Sequence, residues 1–234
     1  FALILILIGI VLSGNRMPLV LFIMTLAITL IFFIKNLRVP FLLSVFILSL
    51  FFWKTLNSNE DFKDHYTGFV KNISQISQYF VSKVRGEEII ISNPHIRVFE
   101  HGFLTWEKNK LIGGGIKNFY NNCSSVLRTV ENFNGGRFCS SHPHNYYLES
   151  LTELGILGLL IKILLFTAIF LKASNFIVRS YDQKIKNLLT PFLIVYIAEI
   201  FPIKSSGSLF TTSNSTFLFI LIAFIVGLSE YKKL

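Results

Sequence analysis

The sequence predicts an all-α fold: a polytopic bundle of about six transmembrane helices, with one large external segment between the third and fourth. Three observations lead there. Apolar residues fill 52% of the 234 positions and charged residues only 15%, with a mean hydropathy of +0.59, a combination that excludes an ordinary soluble domain. The apolar residues gather into six runs, several of them near the ~20 residues a helix needs to cross a hydrocarbon core. The polar residues concentrate in one stretch, about 54–147, too long for an idle connection.

The first run, Phe1–Val11, starts abruptly inside apolar sequence. It has no initiator Met, basic n-region or small-residue cleavage site, so it reads as a cut transmembrane helix rather than a signal peptide. The chain is accordingly expected to be the C-terminal part of a longer protein. Met17–Ile34 and Pro40–Trp53 complete a first membrane block, 1–53, and Leu148–Leu171, Leu188–Ile203 and Thr216–Leu228 form a second, 148–234. Short connections carry Lys35 and Arg38, then Lys172, Arg179, Lys184 and Lys186, then Lys232 and Lys233. If every run crosses once, these groups share one side, which the positive-inside rule puts in the cytoplasm. The other side then holds 13–16, 54–147 and 204–215. The net charge of +9 divides between cytoplasmic anchors and a loop surface that is either simply solvated or turned toward an anionic substrate. No basic stripe with interleaved aromatics lies outside the runs, which excludes nucleic acid as a partner. Membrane lipids are the expected surroundings.

The external segment contains its own helices. In 61–84 the apolar residues Phe62, Tyr66, Phe69, Val70, Ile73, Ile76, Tyr79, Phe80 and Val84 recur at three- and four-residue steps, an amphipathic helix. Asn93-Pro94 opens a further helix with proline at its first position, carrying Arg97 and Trp106 to about Lys110. Gly113-Gly114-Gly115 breaks it, and Ile116–Leu127 forms a short helix. The triplet fits a tight turn with close backbone approach, or a phosphate seat at the next helix start. No GKS or GKT follows, so it is no nucleotide-binding loop. Cys123 and Cys139 both fall on the external side, where an oxidising compartment favours a disulfide. The alternative, zinc held by Cys123, Cys139, His142 and His144, lacks the compact spacing of such sites.

The densest chemistry lies in 139–158, where a polar, histidine-bearing stretch runs directly into the fourth apolar run. That puts His142 and His144 just outside a membrane helix, where a soluble and a lipid substrate can meet. Pro143 between them prevents regular helix. An imidazole can take a proton near neutral pH, so His142 and His144 either serve as a base or merely cap the following helix or sit at the interface; the full pattern to Gly158 favours His144 as the catalytic base, with His142 a neighbour shaping the site. Gly155 and Gly158 allow close helix contact. Glu149 and Glu153 are interfacial, touch an acceptor, or orient a base. Arg16, at the mouth between the first two runs, and Arg97 are either anion-gripping residues or, respectively, a snorkelling anchor and a solvated helix position.

His144-Asn145, nine further residues, then Gly155-Ile-Leu-Gly158 resembles the signature of the bacterial O-antigen ligase and polymerase superfamily. Ser13-Gly14-Asn15-Arg16 resembles that family's Thr/Ser-Gly-Ser-Arg segment at a helix mouth. Arg97 through Trp106, followed by Gly113 and Gly115, resembles its Arg-bearing helix before a Gly-x-Gly turn, and Phe201-Pro202…Gly207 partly resembles its last external loop. The departures are Asn15 for Ser, no proline before the triplet, and a register around Arg97 that slides by one or two residues. The resemblance implies an enzyme of the bacterial inner membrane, with its active site on the periplasmic face. It would transfer a glycan from undecaprenyl pyrophosphate to a sugar hydroxyl with inversion. For a ligase the acceptor is the lipid A core; an O-antigen polymerase or a protein O-oligosaccharyltransferase would use the same donor. His144 would work at the hydroxyl, and Arg16 and Arg97 would hold the pyrophosphate. No cofactor or metal is implied, in keeping with the lack of a DxD-type carboxylate pair in 54–147. A transporter of lipid-linked glycans would instead concentrate ionisable residues inside its spans, where Glu199 is the main candidate.

Overall fold

The computed structural model describes residues 16–32, 60–86, 94–129 and 139–231, with isolated helical positions between 6 and 58. Among these residues every regular element is a helix. The expected runs Phe1–Val11 and Pro40–Trp53 lie largely outside the described residues, as do Ser13-Gly14-Asn15, Lys35, Arg38, Lys232 and Lys233. The chain divides into two compact units, Phe1–Ile89 and Ile90–Leu234.

The first unit contains α1 (Arg16–Phe32) and α2 (Glu60–Arg85). α1 is apolar along its length, and its two threonines return their hydroxyls to the backbone, Thr25 to Phe22 O at 3.0 Å and Thr29 to Thr25 O at 2.7 Å. Such bonds are what a hydroxyl needs in apolar surroundings. In α2 the residues Lys63, Asp64, Thr67, Lys71, Ser74 and Gln78 are exposed at three- and four-residue steps, while Tyr79 is buried. This is the expected amphipathic helix.

The second unit contains α3 (Pro94–Lys108), α4 (Phe119–Thr129), α5 (Tyr146–Arg179), α6 (Gln183–Glu199) and α7 (Thr212–Glu230). α5, α6 and α7 run up, down and up. Tyr147 at the start of α5 donates to Ile200 O at the end of α6 (2.5 Å), and at the other end Lys172 of α5 pairs with Glu230 of α7. Each helix contributes one stripe to the common core: Phe166, Ile169 and Ala173; Leu189, Leu193 and Tyr196; Leu218, Leu221 and Ile225. Steps of three and four residues put each stripe on one face. The outward faces are just as apolar, with Ile161, Leu164 and Leu165 of α5 and Phe217, Ile220 and Phe224 of α7 all exposed. Most of the apolar length of α5, and of α7, is left unburied by the protein itself. α5 and α7 are long and apolar enough to cross a membrane, and Met17–Leu30 of α1 is a shorter apolar helix.

α5 is not one straight rod. At Gly155 the backbone leaves the helical region, with φ 69° and ψ −171°. This opens four peptide groups, and the loop after α3 meets all of them. Gly114 and Gly115 donate to the carbonyls of Thr152 and Glu153 (2.8 and 3.0 Å), while Ile156 and Leu157 donate to the carbonyls of Lys110 and Leu111 (2.9 and 3.3 Å). The fit tolerates no side chain. A Cβ on Gly155 would stand 2.2 Å from Leu111 O, and one on Gly113 would stand 2.3 Å from Glu153 C. Gly155 thus permits a close approach, as expected of it, but its partner is the loop backbone and not a second helix. Gly158 accommodates the same bend, since a Cβ there would meet Leu154 Cβ at 2.2 Å.

Candidate functional site

The bend brings the loop after α3 onto α5, and the start of α5 carries the histidines. Asn145 organises this start. Its Oδ1 accepts from Tyr147 N and Leu148 N (3.0 and 3.1 Å), capping α5, and its Nδ2 donates to Pro202 O and Lys204 O (2.7 and 3.3 Å). Both ends of one amide are therefore used, the oxygen as N-cap and the nitrogen as a tie to the loop between α6 and α7. That loop holds His144 as well, because Ser206 N donates to His144 O at 2.9 Å. Pro202 and Gly207, noted in the sequence, thus belong to a segment strapped directly to the histidines.

His144 takes a left-handed backbone, φ 53°, which is uncommon outside glycine although His is among the residues that visit it. Pro143 before it is fully buried, Asn145 after it is buried, and His144 itself is exposed. The imidazole is thereby presented outward from a fixed base. His142 lies beside it, ring centroids 4.2 Å apart and tilted by 55°. The hydroxyl of Ser140 donates to His142 O at 2.6 Å, and that of Ser141 lies 3.0 Å from His142 Nδ1. His142 Nε2 and the Ser206 hydroxyl are buried with no hydrogen-bond partner among the described residues.

The two carboxylates of the first α5 turns are buried and bound to backbone, though Glu149 Oε1 has no hydrogen-bond partner among the described residues. Glu149 is 1% exposed and accepts from Leu209 N at 2.7 Å. Glu153 is 2% exposed and accepts from Lys117 N at 2.7 Å. Glu153 therefore holds the chain just before α4. The amides of Gly114 and Gly115 are not available to a phosphate, since both donate to α5, and the amide of Lys117 is taken by Glu153. Glu199, the residue that suggested a transporter, accepts from the Tyr146 hydroxyl (2.8 Å) and pairs with Lys204 (2.5 Å) at the same end of the bundle.

α3 runs alongside the first half of α5. A Cβ on Gly102 would touch Leu148 Cδ2 at 2.7 Å, and Lys110 O bonds Ile156 N, so both strands of contact advance by eight residues together. Arg97 lies five residues before Gly102 on α3. It is half-buried, and its Nε has no partner among the described residues. One turn on, burial of Glu100, with the charge of Glu107, raises its carboxyl above the usual range. Arg16 opens α1 in the first unit.

Cys123 and Cys139 are joined, with Cα atoms 6.1 Å apart, next to the small core of Phe119 and Leu127. Bonded to each other, they are no zinc ligands here. The histidine whose ring nitrogen comes within 4.8 Å of both sulfurs is His101, not His142 or His144. The disulfide anchors the stretch leading to His142 onto α4.

Two residues of this site went unremarked in the sequence. Lys162 is 9% exposed within the apolar part of α5 and donates to Tyr146 O at 2.9 Å; a lysine inside an apolar run is itself a signal. Ser206 lies in a loop whose sequence carries no comparable mark.

A search of curated proteins finds no match. A family model described as O-antigen ligase matches residues 1–163. The family is membrane-associated, of glycosyltransferase-like enzymes in lipopolysaccharide synthesis that take lipid-linked glycans and glycan acceptors. The match takes in α1 to α4, the histidine loop, the bend at Gly155 and Lys162. It spans more than half of the chain, and the protein belongs to the O-antigen ligase and polymerase family.

Proposed function

We propose that the chain joins a glycan carried on undecaprenyl pyrophosphate to a sugar hydroxyl of the lipid A core, on the periplasmic face of the inner membrane. The observation that carries this reading is His144, exposed on a backbone locked by Asn145 and Ser206 at the head of an apolar helix. In this reaction the acceptor oxygen bonds the anomeric carbon, and the bond from that carbon to the pyrophosphate oxygen breaks. The configuration inverts, and His144 receives the hydroxyl proton. Arg16 and Arg97 offset the charge that grows on the departing pyrophosphate.

The test is reconstitution of the full-length protein with a lipid-linked glycan and separate acceptors. Transfer to lipid A core supports the ligase reading. Transfer to a second glycan, or to a peptide, makes the chain a polymerase or a protein O-oligosaccharyltransferase. No transfer to any acceptor, with donor intact, rejects the reading. Arg97→Lys keeps the charge but loses the guanidinium fork, and initial rates should drop about tenfold or more through a weaker hold on the leaving group. Equal rates for Arg97→Lys, Arg97→Ala and the parent protein would return Arg97 to a helix-surface role.

A further inference from the structure

Lys162 stands in the middle of Gly158–Leu171, where Ile161, Ile163, Leu164 and Leu165 around it are all exposed and apolar. It alone of these turns inward. Its Nζ reaches the carbonyl of Tyr146, sixteen residues earlier. In a continuous helix sixteen residues separate the two by about 24 Å along the axis, several times the reach of a lysine side chain. The bond exists because α5 bends at Gly155, and it closes that bend from the inside. Lysine suits the place, since helical side chains point back toward the N-terminus.

The ammonium does more than hold one carbonyl. It is near enough to the buried carboxylates of Glu149 and Glu153 for their charges to interact, with neither at ion-pair distance, and it lies 5.9 Å from the centroid of the Phe210 ring. Glu149 in turn takes Leu209 N. Lys162 thus sits where three segments converge: the first turns of α5, the second half of α5, and the loop between α6 and α7. Two of these three hold His144, one through Asn145 and Tyr146 and the other through Ser206. A buried cation in an apolar helix is costly unless its partners are complete, and here the partners are the elements that aim the histidine.

We infer that Lys162 is a positioning residue for the transfer reaction, clasping the bend of α5 so that His144 is held at the reacting hydroxyl. The inference rests on the function proposed above, and its test has a readout that does not depend on that function. Lys162→Met keeps the length and apolar stem of the side chain and removes the cation. In the reconstituted full-length protein, kcat should fall at least tenfold, while KM for donor and for acceptor each change less than about twofold. Lys162→Arg, which keeps a cationic donor, should recover most of the loss. In parallel, spin labels at Ser141 and Leu165, both exposed, report the bend directly; the native cysteines are bonded to each other and take no label. Their separation should lengthen or broaden in Lys162→Met and stay near the parent value in Lys162→Arg.

An unchanged kcat in Lys162→Met overturns the inference, and so does an unchanged label distance, even if transfer is lost. Equal rises in both KM values would also overturn it, marking general loosening. If the parent protein transfers nothing to any acceptor, the function fails on its own account and the label distances still decide whether Lys162 holds the bend. Should Lys162→Met not insert into the membrane, Lys162→Gln, which keeps a neutral donor, takes its place in both measurements.

Discussion

At the residue scale the site is a contrast between two neighbouring histidines. His144 is exposed on a left-handed backbone, while His142 is half-buried and turned toward Ser141. A positioned general base contributes roughly 10²–10⁴-fold to rate. His144→Ala should therefore lose transfer by about that factor with donor binding kept, and His142→Ala should lose far less; single-turnover assays of purified protein compare them. Near-normal transfer by His144→Ala would remove the base from the mechanism. The histidines were legible in the sequence because Pro143 and the spacing to Gly155 set them apart. The job of Asn145 was only half legible: an N-cap can be read from position, but the tie from its Nδ2 to Pro202 and Lys204 joins residues almost sixty positions apart. Ser206 was missed for the same reason, since its partner His144 is distant in sequence and its own stretch reads as plain loop; Lys162 carried a local signal as a lysine in an apolar run, but its partner Tyr146 comes within reach only through the bend.

At the element scale the helices follow from periodicity and the bend does not. α2, α3 and α4 fall close to the predicted stretches, because apolar steps of three and four residues and Asn93-Pro94 are local signals. The bend in α5 depends on two glycine groups forty residues apart meeting through backbone alone, and no local pattern records that. Its energetic signature is nonetheless specific. Gly155→Ala would need an alanine at φ 69° and ψ −171°, a region essentially confined to glycine that costs roughly 1–3 kcal/mol, and would also drive Cβ into Leu111 O at 2.2 Å. Thermal unfolding in detergent should show a marked fall in Tm for Gly155→Ala. Gly227→Ala in α7, where nothing lies within 4 Å of the added Cβ, should be neutral or slightly stabilising through helix propensity. Equal melting of the two variants would mean that the bend contributes nothing to stability.

At the scale of the whole molecule, the second unit sorts its polar groups to two ends. One end carries His144, Asn145, Glu199, Lys204 and Ser206; the other carries Lys172, Arg179, Lys184, Lys186 and Glu230. The orientation expected from the basic connections would put the histidine end outside and the lysine-rich end in the cytoplasm. A reporter fused after Asn118 should be active outside the cytoplasm and one fused after Ser180 inside it. The reverse at either position would overturn the orientation and, with it, a periplasmic site.

The junction at Gly155 has a further consequence for how the protein opens. Its four hydrogen bonds run in both directions between the same two strands of backbone, around residues that are themselves buried, Thr152, Glu153 and Gly155. Releasing the bond to Thr152 O or Glu153 O strands the carbonyl of a buried residue without water to replace the partner, so fraying bond by bond is disfavoured there. The amides of Gly114, Gly115, Ile156 and Leu157 should then exchange with deuterium as a single cooperative group, although they come from segments forty residues apart and two of them belong to a loop exposed on its outer side. Peptide-resolved exchange would read this as matched protection, lost together in Gly155→Ala. Independent, fast exchange at Gly114 and Gly115 in the parent protein would show the loop to be only resting on the helix.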